Sequence, residues 1–143
     1  MSAKSIWANE EETIVLQVSQ LNVYYGESHV LRNASFSVAK GETVAIMGRN
    51  GMGKSTLLKA LIGILPTRGG SVSLGGRELT GTPTYTRVAA GMGFVPQGRM
   101  IFPYLTVEEN ILTGMEKAAE RTVPAYIYEI FPVLLEMKHR RGG

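Results

Sequence analysis

The sequence predicts an α/β fold in which a buried strand leads through a glycine-rich turn into a helix. Residues 43–47, Thr-Val-Ala-Ile-Met, form a short apolar, partly β-branched run that is typical of a buried parallel strand. The turn follows at residues 48–55, and residues 55–62 then carry apolar side chains at helical spacing. Before residue 40, apolar and polar residues alternate, which predicts an antiparallel β-layer ahead of the parallel sheet.

The turn, Gly-Arg-Asn-Gly-Met-Gly-Lys-Ser, fits G-x-x-x-x-G-K-[ST], the P-loop pattern. Glycines let the backbone wrap around an anion, and the first N–H groups of the following helix bind phosphate. Lys54 would reach the β- and γ-phosphates, and Ser55 would place its hydroxyl on Mg²⁺. The alternative is a glycine-rich turn with an incidental Lys-Ser pair, but the flanking strand and helix favour a nucleotide site. The predicted binding residues are Gly48, Arg49, Asn50, Gly51, Met52, Gly53, Lys54, Ser55 and Thr56.

Composition limits the classes of function. The chain has 143 residues, enough for one domain or part of a larger one. It has no cysteine, which excludes disulfides and thiolate metal sites. The net charge of +3, without a basic stretch interleaved with aromatics, predicts no nucleic-acid partner. Without a signal peptide or a long apolar run, the cytoplasm is the expected location.

The acidic residues carry a further signal, because all twelve are Glu and the chain contains no Asp. P-loop NTPases usually hold Mg²⁺ through the P-loop Ser or Thr together with an Asp from another strand. The composition therefore predicts either an incomplete chain or an incomplete magnesium site.

In chain order, residues 1–12 are predicted to form a flexible lead-in. Apolar and polar residues alternate at 14–18, 21–25 and 34–38, and residues 26–28 form a turn, so antiparallel strands are expected.

Beyond the P-loop helix, residues 71–74 alternate and Gly75-Gly76 turns the chain, which predicts a hairpin. Thr82-Pro83 is a predicted helix start, and residues 85–90 are predicted to form a short helix. Residues 91–95 are predicted to be the next core strand, and Gln97 follows it.

The chain resembles the N-terminal part of an ATP-binding cassette (ABC) transporter ATPase subunit. The resemblance lies in residues 21–26, 41–47 and 93–97, and in the P-loop itself. It implies a P-loop NTPase fold, an ABC-type nucleotide-binding domain with an antiparallel β-layer, a partial RecA-like parallel sheet and a helical subdomain.

On this resemblance, residues 13–97 form the ATP-binding core, and residues 98–143 form the incomplete start of the helical subdomain. ATP and Mg²⁺ are the implied cofactors. By position, Tyr25 is the aromatic residue that stacks on the adenine, and the alternative is a tyrosine in a strand-edge turn. Gln97 completes the shell of the magnesium ion and the attacking water, and the alternative is a polar residue in a loop.

The resemblance also implies partners. Residues 98–110 would receive the coupling helix of a transmembrane permease subunit, on an apolar loop rimmed by Arg99, Glu108 and Glu109. Thr106 and Glu109 form a predicted capping box at the start of a helix. The alternative, local packing within a helical subdomain, stays open. A second ATPase subunit would complete a homo- or heterodimer.

Two hypotheses about function follow. The first is an ATP-hydrolysing importer subunit peripheral to the inner face of the membrane. Residues 49–54, 131–137 and 140–143 resemble those of importers for branched-chain amino acids or urea and amides, and Met52 favours urea. The second is a non-catalytic nucleotide-binding fragment, because the family's signature, metal-binding Asp, catalytic Glu and switch His have no counterpart here. The expectation is therefore a truncated ABC ATPase that does not turn over ATP by itself.

Overall fold

The computed structural model describes residues 13–98, 100–115 and 122–142. It divides into two compact units, Met1–Phe94 and Val95–Gly143, and each is described by itself. The predicted lead-in, residues 1–12, lies outside the described residues, as does Arg99.

The first unit is built on a four-stranded antiparallel sheet with strand order β2-β1-β3-β4. The strands are β1 (Ile14–Tyr25), β2 (Ser28–Ala39), β3 (Ser71–Leu74) and β4 (Arg77–Glu78). The predicted antiparallel layer and the hairpin at residues 75–76 are both confirmed. The structure adds that the hairpin joins the layer, because β3 pairs with β1.

A β-bulge makes β1 one continuous strand where the sequence predicted two segments. The alternation changes phase between Val18 and Leu21, and the pairing with β2 shifts at the same place. Gln20 there has a φ of 51°. The extra residue lets Val18, Leu21 and Val23 all lie fully buried on one face of the sheet.

The helix predicted after the glycine-rich turn is confirmed as α1 (Lys54–Leu61). It packs against the sheet, and Leu57, Ala60 and Leu61 join Val18 and Val72 in the core of the unit. The core therefore lies directly behind the helix whose N-terminus carries the P-loop motif.

The two predicted parallel strands are not formed among the described residues. Residues 43–47 and 91–95 are irregular and pair with none of the four strands. Val44 and Ile46, expected in a core, are 43% and 39% exposed. An apolar run becomes a strand only when a neighbouring strand completes its hydrogen bonds, and a local pattern does not supply that neighbour. The RecA-like parallel sheet is thus absent from the described part of the chain.

The helix predicted to start at Thr82-Pro83 is confirmed as α2 (Thr84–Ala89), with Pro83 as its N-cap. Proline suits this position because its missing N–H would have no partner inside the helix.

The second unit contains α3 (Val107–Thr113), α4 (Ala125–Ile130) and α5 (Pro132–Glu136). The predicted capping box is confirmed: Glu109 N–H donates to Thr106 Oγ1 at 3.2 Å, and Thr106 N–H donates to Glu109 Oε2 at 2.7 Å. The Thr106 N–H bond lowers the pKa of the Glu109 carboxyl. Pro132 is the first residue of α5, where its missing N–H costs no intrahelical bond. Across the described ranges, the helices are too short or too polar to cross a membrane.

Candidate nucleotide-binding site

The glycine loop, residues 48–55, has a backbone that depends on glycine at two positions. Gly51 has a φ of 83° and Gly53 a φ of 90°, both in the left-handed region. A Cβ at Gly53 would also lie 2.9 Å from Leu31 Cδ2 of β2. Gly53 therefore lets the loop turn into α1 while it lies close against the sheet.

The start of α1 presents donors to the loop. The first intrahelical bond runs from Leu57 N–H to Gly53 O at 2.9 Å, so the N–H groups of Lys54, Ser55 and Thr56 precede it. This fully described helix has neither a side-chain cap nor an acidic residue in its first turn. The positive end of the helix dipole is therefore open to an anion.

Lys54 lies across the beginning of the glycine loop. Its Nζ donates to Gly48 O at 2.6 Å and to Arg49 O at 2.8 Å. An ammonium has three N–H donors, so these two bonds leave a third for a phosphate oxygen. Lys54 thus joins the beginning of the loop to the first residue of α1 and holds a full positive charge against it.

The predicted binding residues of the glycine loop differ in how exposed they are to solvent. Residues 48–52 and Ser55 are exposed, so their side chains and main chain are accessible to a ligand. Thr56 is buried, with 9% of its surface exposed. Its predicted contact is therefore best made by the backbone N–H.

The site fits a Mg²⁺ ion that is bound together with phosphate. Within residues 13–98, 100–115 and 122–142, no group of three His, Cys, Asp or Glu side chains could hold a metal ion. Ser55 offers one exposed hydroxyl, and Mg²⁺ typically keeps several waters while it binds phosphate oxygens. Ser55 can therefore supply one ligand to an ion that arrives with a nucleotide.

Tyr25, the predicted base-stacking residue, ends β1 and is 48% exposed. Its neighbour Tyr24 stacks on His29 of β2, with ring centroids 4.1 Å apart and planes 9° apart. The Arg68 guanidinium lies over the same Tyr24 ring at 5.2 Å. Because Tyr24 makes these internal contacts, Tyr25 is the tyrosine that can offer a ring face to a ligand.

Gln97 belongs to the second unit and is exposed in an irregular segment before Gly98, which has a φ of 95°. Its part in a magnesium and water shell stays a prediction.

The apolar loop, residues 100–105, is also in the second unit. Exposed fractions are 74% for Met100, 57% for Phe102 and 84% for Tyr104. Among the three residues expected to rim the docking region, Glu108 and Glu109 lie in the first turn of α3.

Asn110 of α3 holds this loop, and sequence reasoning missed it. Its Oδ1 accepts from Phe102 N–H at 2.8 Å, and its Nδ2 donates to the carbonyls of Phe102, Leu105 and Thr106 at 3.0, 3.2 and 2.9 Å. Asparagine is a poor helix former, so its place inside a helix could have signalled such a bonding role.

Replacing Asn110 with alanine is expected to loosen the apolar loop. The change removes three bonds to the backbone of the loop and a fourth to Thr106 O at the start of α3. At about 1 kcal/mol each, even half of that loss should raise the rate of chymotrypsin cleavage in the loop roughly 10-fold or more. Limited proteolysis with mass mapping measures it. Thr113→Ala, which removes a hydroxyl bonded to Asn110 O within α3, is the control. Unchanged cleavage in Asn110→Ala would mean that the loop holds its shape without Asn110.

A comparison with known protein families identifies the family of this chain. A family model described as ABC transporter matches residues 31–139. The chain belongs to this family. The resemblance inferred from the motifs is therefore confirmed, and the P-loop NTPase fold with it.

Individual proteins of known description give the same result for this ABC family chain. The high-affinity branched-chain amino acid transport ATP-binding protein BraG of Pseudomonas aeruginosa is 38% identical over 132 residues, which cover 90% of the chain and 57% of BraG. The ribose import ATP-binding protein RbsA of Shouchella clausii is 38% identical over 109 residues, covering 76% of the chain and 22% of RbsA. A crystal structure of a nucleotide-free ATP-binding cassette from an ABC transporter superposes with a TM-score of 0.68 at 26% identity, covering 91% of this chain and 58% of that one. The chain thus spans little more than half the length of BraG.

Proposed function

We propose that this ABC family chain is the ATP-binding part of an importer subunit that couples the binding and hydrolysis of ATP to solute uptake. The observation that carries the proposal is the glycine loop at the N-terminus of α1. Its left-handed glycines, the first-turn N–H groups that have no side-chain cap and the Lys54 ammonium all belong to residues 48–56, of which residues 48–52 and Ser55 are exposed. That combination suits a chain of phosphates.

Each residue of the site has a proposed role. Residues 48–53 wrap the phosphates with their backbone, and Lys54 reaches the β- and γ-phosphates. Ser55 binds Mg²⁺, and Thr56 contributes its N–H. Tyr25 stacks on the adenine, and Gln97 orients the attacking water beside the metal ion.

The solute that we propose is a branched-chain amino acid. BraG, a branched-chain amino acid transport protein by name, is similar over most of this chain. A ribose import protein is also similar to this chain, so membership of the family does not by itself identify the solute. Urea or a related amide, which Met52 favours, is the alternative solute.

The proposed partners are transmembrane permease subunits, which dock on residues 98–110, and a second ATPase subunit. The exposed apolar side chains of residues 100–105 suit a partner that buries them, since such surfaces mark interaction sites. This arrangement would place the protein in the cytoplasm, against the inner face of the membrane.

The second candidate function is nucleotide binding without hydrolysis. The observation that favours it is the composition, in which all twelve acidic residues are glutamates. Phosphoryl transfer depends on charges positioned around the γ-phosphate, and an Asp commonly helps to hold the metal ion. Release of phosphate from ATP and Mg²⁺ by the purified chain, compared with buffer, distinguishes the two functions.

Replacing Tyr25 with alanine is expected to reduce the affinities for ATP and for ADP by the same factor. Stacking involves the base and ignores the number of phosphates. A base stacked on an aromatic ring is worth about 1–3 kcal/mol in nucleic-acid sites, or roughly 5- to 150-fold in affinity. Titration of the wild type and the variant with both nucleotides measures the effect, and wild-type binding itself tests the proposed function.

Tyr25→Phe is the matched control, because it keeps the ring and removes the hydroxyl. Its affinities should stay close to those of the wild type. If Tyr25→Ala reduces the affinity for ATP but not the affinity for ADP, the side chain lies near the γ-phosphate, which would contradict its assignment to the base.

A further inference from the structure

Arg87 of α2 is a buried cation to which neither the motif nor the proposed chemistry gives a role. Only 3% of its surface is exposed, and it is the one charged side chain in the buried part of the described chain. Burial lowers the pKa of its guanidinium. A charge in such a place needs strong bonding partners, and its partners indicate what it does.

The partners are backbone carbonyls at the C-terminal end of α1. Arg87 Nη1 donates to Ala60 O at 3.0 Å and to Leu61 O at 2.7 Å. Its Nε donates to Thr82 O at 3.1 Å, just before α2 begins. The guanidinium thus bonds two carbonyls in the last turn of α1, of which Ala60 O also accepts from Gly63 N–H at 3.1 Å, and it lies at the negative end of the helix dipole.

The surrounding chain is shaped to admit this side chain. Gly63, just beyond α1, has a φ of 84°, and a Cβ there would lie 2.9 Å from Arg87 Nε and 3.2 Å from its Cδ. A side chain at residue 63 would therefore displace the guanidinium. Close packing at this place fixes the end of α1 against the segment that precedes α2.

The two ends of α1 are held in different ways. At the N-terminal end Gly53 lies against Leu31 of β2, and at the C-terminal end Arg87 bonds the last carbonyls. The helix has eight residues and is therefore about 12 Å long. A helix this short moves as one body, so a shift at its C-terminus is carried to the first-turn N–H groups.

We propose that Arg87 is a positioning residue for phosphate binding, which fixes α1 so that its first-turn N–H groups and Lys54 converge on the phosphates. This inference rests on the proposed ATP site. It assigns Arg87 no contact with the nucleotide. Its effect should grow with the number of phosphates bound, because the groups that it positions contact phosphates and not the base.

The test compares Arg87→Lys and Arg87→Met with Lys59→Met as a matched control. Lys59 is an exposed basic residue in the last turn of α1. Its loss therefore removes a charge from the same helix end but leaves the hydrogen bonds between Arg87 and the carbonyls of α1 in place. Each variant is titrated with ATP, ADP and AMP, and its unfolding is followed by circular dichroism. Lysine keeps the charge of Arg87 but lacks the planar fork that reaches several carbonyls together.

We expect Arg87→Met to bind ATP about 10-fold or more weakly and AMP less than about 3-fold more weakly, in line with the loss of one to two charge-assisted bonds. Arg87→Lys should show the same ordering with smaller losses, and Lys59→Met should bind like the wild type. If Arg87→Met does not fold, Arg87→Lys decides.

Three results would overturn the proposal. Equal losses for ATP and AMP would show that Arg87 stabilises the unit without positioning the phosphate site. If Arg87→Lys and Arg87→Met both fold and bind the nucleotides as tightly as the wild type, the hydrogen bonds from Arg87 to the end of α1 are not needed for phosphate binding. A wild-type chain that binds none of the three nucleotides would refute the proposed function, and this inference with it, which separates that failure from the other two.

Discussion

Replacing Lys54 with alanine is expected to reduce the affinity for ATP by about 1.5–3 kcal/mol, or roughly 10- to 150-fold, the range for hydrogen bonds to charged groups. Two effects add in the same direction. The variant loses the positive charge beside the phosphates, and it loses the bonds from Nζ to Gly48 O and Arg49 O that hold the loop. Nucleotide titration by calorimetry or by a fluorescent analogue measures the loss.

The control for this prediction is Lys59→Ala, an exposed lysine near the other end of the same helix. It has the same change in charge and in helix propensity, so a general electrostatic effect would appear in both variants. Equal affinities of the wild type and Lys54→Ala would show that the glycine loop is not the phosphate site.

The second large effect is expected for Gly70→Ala, which should destabilise the first unit by more than about 3 kcal/mol, because it combines a strained φ with a collision between backbone atoms. Gly70 has a φ of 84°, and a Cβ there would lie 2.4 Å from Gln20 O, 2.5 Å from Gln20 C and 2.6 Å from Leu21 Cα. These are main-chain atoms at the β1 bulge, so they cannot rotate away. The free energy of unfolding, from urea titrations followed by circular dichroism, measures the effect.

Gly75→Ala separates the two causes. Gly75 has a φ of 54° in the turn before β4, and a Cβ there would meet nothing within 4 Å. This variant carries only the left-handed backbone penalty, about 1–2 kcal/mol. A loss for Gly70→Ala no larger than that for Gly75→Ala would contradict the contact between Gly70 and the bulge.

The features that could be predicted from the sequence are those that depend on near neighbours in the chain. The helix after the glycine loop, the capping box of Thr106 and Glu109, and the turn at residues 75–76 each depend on residues within a few positions of one another. Backbone conformation and capping bonds are local, so a short pattern determines them. The P-loop motif likewise placed its candidate residues on a turn and a helix N-terminus.

Tertiary structure decided the features that join distant segments. The pairing of β3 with β1, the bond of Arg87 to the end of α1 and the bonds of Asn110 to the apolar loop have no local signature, or only a weak one. Residues 43–47 carry the pattern of a strand and are irregular among the described residues. A strand needs a partner, and a buried charge needs carbonyls that another element supplies. The sequence by itself thus determined the local elements and the phosphate motif, and only the tertiary structure decided which segments meet, because contacts between distant residues depend on the whole fold.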